Sequence, residues 1–246
     1  MADDRVTPHT DAPQWRGLLV TGGWCAFAVV AMIVVEVGRY LLWPPPTSTA
    51  GFYALLLDHP VLGLVSLDLL FIVSNTLTFL VYVALGLALW RVSRSAVVVA
   101  LAFAVVGTAA FMSSTRPVEM LTLATTYADA DEAERTALLA TGDGMLATWQ
   151  GTGYVVYYYL GFATLLILSV LMLRSAVFSR ATGAWGLASA VLMVVPATFG
   201  QVGLVLAVVS LAPWSVFAVL VGRRLLHLSR PAETTHRAVR PGRAHS

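Results

Sequence analysis

The sequence predicts an all-α fold, a polytopic integral membrane helix bundle, and three observations carry that prediction. Hydrophobic residues make up 58% of the 246-residue chain and charged residues only 11%, against roughly 25% charged in ordinary soluble domains. Mean hydropathy is +0.80. Apolar runs of the roughly 20 residues needed to cross a ~30 Å hydrocarbon core recur along nearly the whole chain, so one membrane domain is expected, spanning 17–228.

Six spans follow in order. The first sixteen residues hold Asp3, Asp4 and Asp11 with only two arginines. They lack the positive start and small-residue cleavage site of a secretory signal. Residues 1–16 therefore read as a disordered cytoplasmic N-terminus, and 17–40 as a retained first helix. The second span is 61–90, the third 95–115 and the fourth 149–173. The block 183–222 is too long for one crossing. "VVPATFGQVG" breaks it with Pro196, Gly200 and Gly203, giving a tight hairpin of spans 183–198 and 201–222. Residues 229–246 read as a disordered basic cytoplasmic tail able to touch anionic head groups.

Orientation follows from the basic residues, all of which are Arg, a composition typical of a GC-rich bacterial genome. With the N-terminus inside, twelve arginines fall on the cytoplasmic side and only Arg39, Arg116 and Arg135 outside. That asymmetry predicts both ends inside a bacterial cytoplasmic membrane. The lone Cys25 excludes an internal disulfide or cysteine metal site.

Two outer segments are long. "LLWPPPTSTAGFYALLLDHP" opens with a stiff triple proline and predicts a short helix along the outer interface. In the second, Pro117 followed by Glu119 marks a helix start. Asp131 with Glu134 resembles a capping box for another short helix. A calcium loop is excluded, because its sixth position would be Glu134 rather than Gly and its twelfth Ala140.

The stretch "STRPVEMLTLATTYADADEAERTALLATGDGMLATWQGTGYVVYYYLG", with "SVLMLRSAVFSRATGAWG" and "LDLLFIVSNTLTFLVYVAL", resembles bacterial membrane proteins grouped as domain of unknown function 4386. The likeness covers roughly residues 60 to 230. It implies a compact multi-helix membrane fold and transfers no catalytic residue.

Polar residues inside the spans are few and unevenly distributed. With a rise of about 1.5 Å per residue, Asp68 lies about 33 Å above Trp90 and Asn75 about 22 Å, two turns apart on one face. Glu36 lies about 30 Å above Arg16, and Arg39 follows on the same side. Arg116 and Glu119 end the third span at that level. Trp149 and Gln150 open the fourth, with Tyr154, Tyr157 and Tyr158 below them at helical spacing. The inner half is nearly pure Leu, Val and Ala. This predicts an outward-facing pocket with a polar rim, aromatic walls and an apolar floor, shared by the first four spans. The plainer alternative stays open. Helix-end charges meet head groups, Tyr and Trp form an interfacial belt, Asn75 serves as interhelical glue, and Asp68 pairs with Arg116 or Arg39.

Several chemistries are excluded. Of five histidines only His59 lies outside, and no HExxH, nucleophile elbow or phosphate loop is present, so no metal and no cofactor are expected. Nucleic acid is not an expected partner. Transport lacks an inverted repeat and an inner polar path. The favoured expectation is binding of membrane lipid, a hydrophobic ligand or a membrane-protein partner through Glu36, Arg39, Asp68, Asn75, Arg116, Glu119, Trp149, Gln150 and the three tyrosines. One alternative is a small intramembrane enzyme using Asp68 or Glu36 as the acid on a lipidic or prenyl substrate, in the manner of a terpene cyclase. A second is a subunit of a membrane complex or transporter.

Overall fold

The computed structural model describes residues 12–230. The expected disordered ends lie outside the described residues, apart from 12–16, which are helical, and 229–230. Ten helices follow one another: α1 (Ala12–Leu42), α2 (Thr49–Asp58), α3 (Pro60–Ser66), α4 (Leu69–Leu89), α5 (Arg94–Ser114), α6 (Pro117–Asp129), α7 (Glu132–Trp149), α8 (Thr152–Leu173), α9 (Arg180–Leu192) and α10 (Gly200–Leu228). Five stretches are long and apolar enough to cross a membrane: Gln14–Leu42, Leu69–Leu89, Arg94–Asp129, Glu132–Leu173 and Gly200–Leu228.

Local chemistry sets the helix starts. The side chains of Ser48, Ser93, Asp131 and Ser179 each accept a hydrogen bond from the third amide of the helix that follows, satisfying a donor the helix itself leaves free. Pro60 and Pro117 sit in first turns, where no amide is missed.

The bundle packs α5 along α8, α1 between α4 and α10, and α9 between α8 and α10. Its core includes Leu85, Leu89, Leu165, Leu168, Phe217 and Leu225, all fully buried. Lipid tails are as apolar as leucine, so helix association needs close backbone approach. Gly222 supplies it where its Cα faces the Gly23 carbonyl and Ala26 of α1. Thr164 Oγ1 lies 3.1 Å from the Ala100 carbonyl of α5 and 2.8 Å from Leu160 of its own helix.

The two long segments that the sequence places outside form more than interfacial helices. α2, α3, α6 and α7 build a cap with its own core of Phe52, Tyr53, Leu56, Leu67, Met120 and Ala124. The buried Tyr53 hydroxyl donates to the Leu138 carbonyl at 2.8 Å. Burial, with the Asp143 charge, holds that hydroxyl above its ordinary pKa, so it remains a donor. Thr49 donates to Asp143, and Arg135 caps the end of α6 through the Tyr127 and Ala128 carbonyls.

Four predicted boundaries need correction. The helix expected after Asp131 is not short. It runs to Trp149, because its apolar side belongs to the cap core, and the fourth span begins at Thr152 rather than 149. The segment 183–198, predicted as the fifth of six spans, is not among the five apolar stretches long enough to cross and holds only α9, 13 residues or about 20 Å. A turn over 193–199 containing Pro196 ends it, and the chain re-enters helix at Gly200 with φ 71°. The second span is not continuous over 61–90. α3 stops at Ser66, and α4 starts after Asp68, whose φ of 67° is the only positive value at a non-glycine residue among those described.

A left-handed L-residue costs about 1–2 kcal/mol relative to glycine. Asp68→Ala and Asp68→Gly lose the same carboxylate, yet only glycine tolerates this backbone. Asp68→Ala should therefore be the less stable variant by about 1 kcal/mol in detergent unfolding titrations. Equal stabilities would mean that the turn is not held left-handed.

Candidate functional site: a cavity between the first and last helices

α1 and α10 run antiparallel and cross tightly at Gly23 and Gly222. Beyond that crossing they line a cavity of about 400 Å³, within the 300–1,000 Å³ range of small-molecule pockets. α4 and α8 complete the walls, and Met193 from the turn after α9 closes one side. The expectation of a pocket shared by the first four spans is corrected here. α5 lies behind α8 and contributes nothing to this cavity, while α10 takes its place. A neighbouring void of about 30 Å³ reaches α5 at Ala104, Gly107 and Thr108, room for about one water.

Glu36 and Arg39 project from the last turns of α1. Asp68 enters from the break between α3 and α4, and all three line the same end of the cavity. Asp68 does not cap α4. Its Oδ2 instead accepts a hydrogen bond of 2.6 Å from the indole nitrogen of Trp149, the last residue of α7. The ring of Trp149 is in turn braced edge-on by Phe52 at 6.2 Å. The pairing of Asp68 with Arg116 or Arg39 does not form. Arg116 bonds Glu119 at 3.1 Å, and Arg39 Nη1 donates to Ser66 Oγ at 3.2 Å. Glu36 Oε1 and Arg39 Nε are buried with no hydrogen-bond partner among the described residues.

Deeper in, Asn75 is fixed on both sides. Its amide donates to the Phe71 carbonyl at 2.9 Å, and its Oδ1 accepts from the Tyr157 hydroxyl at 2.6 Å. Tyr154 stacks on Tyr158 with centroids 5.7 Å apart and a 29° tilt. The floor is apolar, with Val29, Ile33, Leu211 and Trp214. At the mouth Leu41 is 75% and Val208 53% exposed, so the gap between α1 and α10 presents apolar edges.

The structure thus brings Glu36, Arg39, Asp68, Asn75, Tyr154, Tyr157 and Tyr158 to one cavity, with Trp149 touching it through Asp68. It does not bring Arg116, Glu119 or Gln150 there. The first two start α6 rather than ending the third span, and they satisfy each other. Gln150 caps α7 and is exposed. Sequence reasoning missed the α10 wall. Its signal was Ser210 and Trp214, a polar and an aromatic residue one turn apart in a run of valine and leucine. Among the described residues no group of three or more His, Cys, Asp or Glu side chains is arranged to hold a metal. Comparisons with protein-family models, curated proteins and solved structures find no match for this chain.

Tyr157→Phe would leave the buried Asn75 oxygen without its donor. It should cost about 1–3 kcal/mol. Combining it with Asn75→Leu should recover part of that loss in the same unfolding assay. Strict additivity of the two changes would contradict the bond.

Proposed function

We propose that this chain is a multi-spanning protein of a bacterial cytoplasmic membrane that binds an amphiphile in the cavity between α1 and α10. The head group sits at the Glu36, Arg39 and Asp68 end, and the apolar tail runs toward Tyr82 and Trp214. The observation that carries this reading is the gradient along the cavity, from three ionisable side chains through tyrosines and Asn75 to an aliphatic and aromatic floor. Asp68 and Tyr82 stand fourteen residues apart, about 21 Å of helix. A lipid-like molecule has that polarity along its length.

The arginine asymmetry supports an orientation with both ends in the cytoplasm and the polar end of the cavity toward the outer side. In that arrangement α9 together with the turn over 193–199 makes the fifth of six crossings. Non-helical backbone at membrane depth is tolerated where it is covered by protein or lines a cavity, and Met193 at the cavity wall fits that condition. The resemblance to domain of unknown function 4386 assigns no residue a role, so the proposal rests on the geometry.

Native mass spectrometry of the purified protein tests it. Wild type should retain a lipid or other amphiphile. Ala207→Trp, which puts an indole into the cavity from α10, should come through empty. Asp68→Asn should retain less than wild type. Empty wild type, with all three proteins folded, would make the polar cluster structural and direct the search to protein partners.

A further inference from the structure

The two acids at the rim of the cavity receive few hydrogen bonds from the protein. Two carboxylates line it, and an ionised carboxylate accepts through about four lone-pair sites. Among the described residues Asp68 receives one hydrogen bond, from Trp149, and Glu36 receives none, its Oε1 being buried without a partner. Arg39, the one cation among the residues lining the cavity, keeps a buried Nε without a partner. Its Nη1 is engaged by Ser66, and it forms no ion pair with either acid within 4.0 Å. Desolvated carboxylates without donors are costly, so an occupant that supplies N–H groups gains most here. Below the acids, the stacked rings of Tyr154 and Tyr158 line the wall, and aromatic faces attract cations through their quadrupole. When both acids are ionised, two negative charges face the one positive charge of Arg39, and an anionic head group meets net repulsion.

We infer that the head group of the occupant carries a protonated amine, held between Glu36 and Asp68 with its positive charge over the tyrosine wall. This rests on the amphiphile reading of the same cavity and names the chemical class that cavity selects. The primary ammonium group supplies three donors for the acceptors the protein leaves open. Its tail follows the apolar floor formed by Val29, Ile33, Leu211 and Trp214.

The test uses the full chain in a neutral maltoside detergent and three probes that share one tail: dodecylamine, dodecanol and dodecanoic acid. Binding is read as a ligand-dependent rise in the unfolding midpoint across a concentration series. Dodecylamine should bind at least about tenfold more tightly than dodecanol, the fold-change of one modest charge contact, and dodecanoic acid should bind most weakly. Glu36→Gln and Asp68→Asn should each bring the preference for amine over alcohol close to unity. Arg39→Gln should strengthen amine binding, because it removes the one opposing charge. If Asp68→Asn does not fold, Glu36→Gln carries the test, since no group among the described residues bonds to its carboxylate. Alcohol or acid binding as tightly as the amine, with Ala207→Trp blocking all three, overturns the amine assignment and leaves the amphiphile reading standing. No midpoint shift with any probe, or shifts that Ala207→Trp leaves intact, overturns both.

Discussion

A buried carboxylate needs a partner, and Asp68 reaches one because the chain turns left-handed there. Had α3 and α4 continued as one helix, residue 68 would simply have been the next position on the helix surface. The turn at φ 67° instead carries the carboxylate to the Trp149 indole at 2.6 Å. That single bond joins the end of α7, the break before α4 and, through the edge-on contact of Trp149 with Phe52, the core of the cap. The cap is thereby tied to the bundle at the point where the cavity begins. Residues in sparsely populated backbone regions persist where the surroundings over-determine them, and they cluster at binding sites.

A second interruption opens the space below. α9 ends after 13 residues, so beyond Leu192 only the turn over 193–199 stands between α8 and α10. α1 and α10, held together at Gly23 and Gly222, have no small-residue contact of that kind further along, and side chains of both face the cavity from Val29 to Leu41 and from Leu204 to Trp214. The bundle is therefore close-packed at one end, where Leu85, Leu89, Phe217 and Leu225 are fully buried, and hollow at the other. Polar groups gather at the hollow end. Some are tied off, as Asn75 is by Tyr157, and some are left open, as Glu36 is.

Much of this was legible in the sequence, for identifiable reasons. Long apolar runs and start signals such as Ser93, Pro117 and the Asp131–Glu134 pair are local, and the helices at 94–114, 117–129 and 152–173 follow from them to within a few residues. The gathering of Glu36, Asp68, Asn75 and the tyrosines was also readable, because spacing along each helix gives depth and face. What depends on contacts distant in sequence was not. Nothing in "GLVSLDLLF" announces a left-handed aspartate, since no glycine or proline marks the break and its partner lies 81 residues away. The cap core was hidden for the same reason: α2 and α7 read separately as short helices, with nothing local to show that they pack together. Arg116 and Glu119 misled because depth alone does not say which way a side chain faces, and at i, i+3 they are close enough to satisfy each other.

An amphiphile fits only if the polar end and the apolar floor belong to one continuous space between α1 and α10. A crystal structure of the full chain grown from a lipidic phase measures this most directly. Elongated density is expected that starts beside Asp68 and Glu36 and runs past Tyr158 to Trp214. α1 and α10 in contact along their whole length, with Glu36 turned outward to lipid, would contradict it.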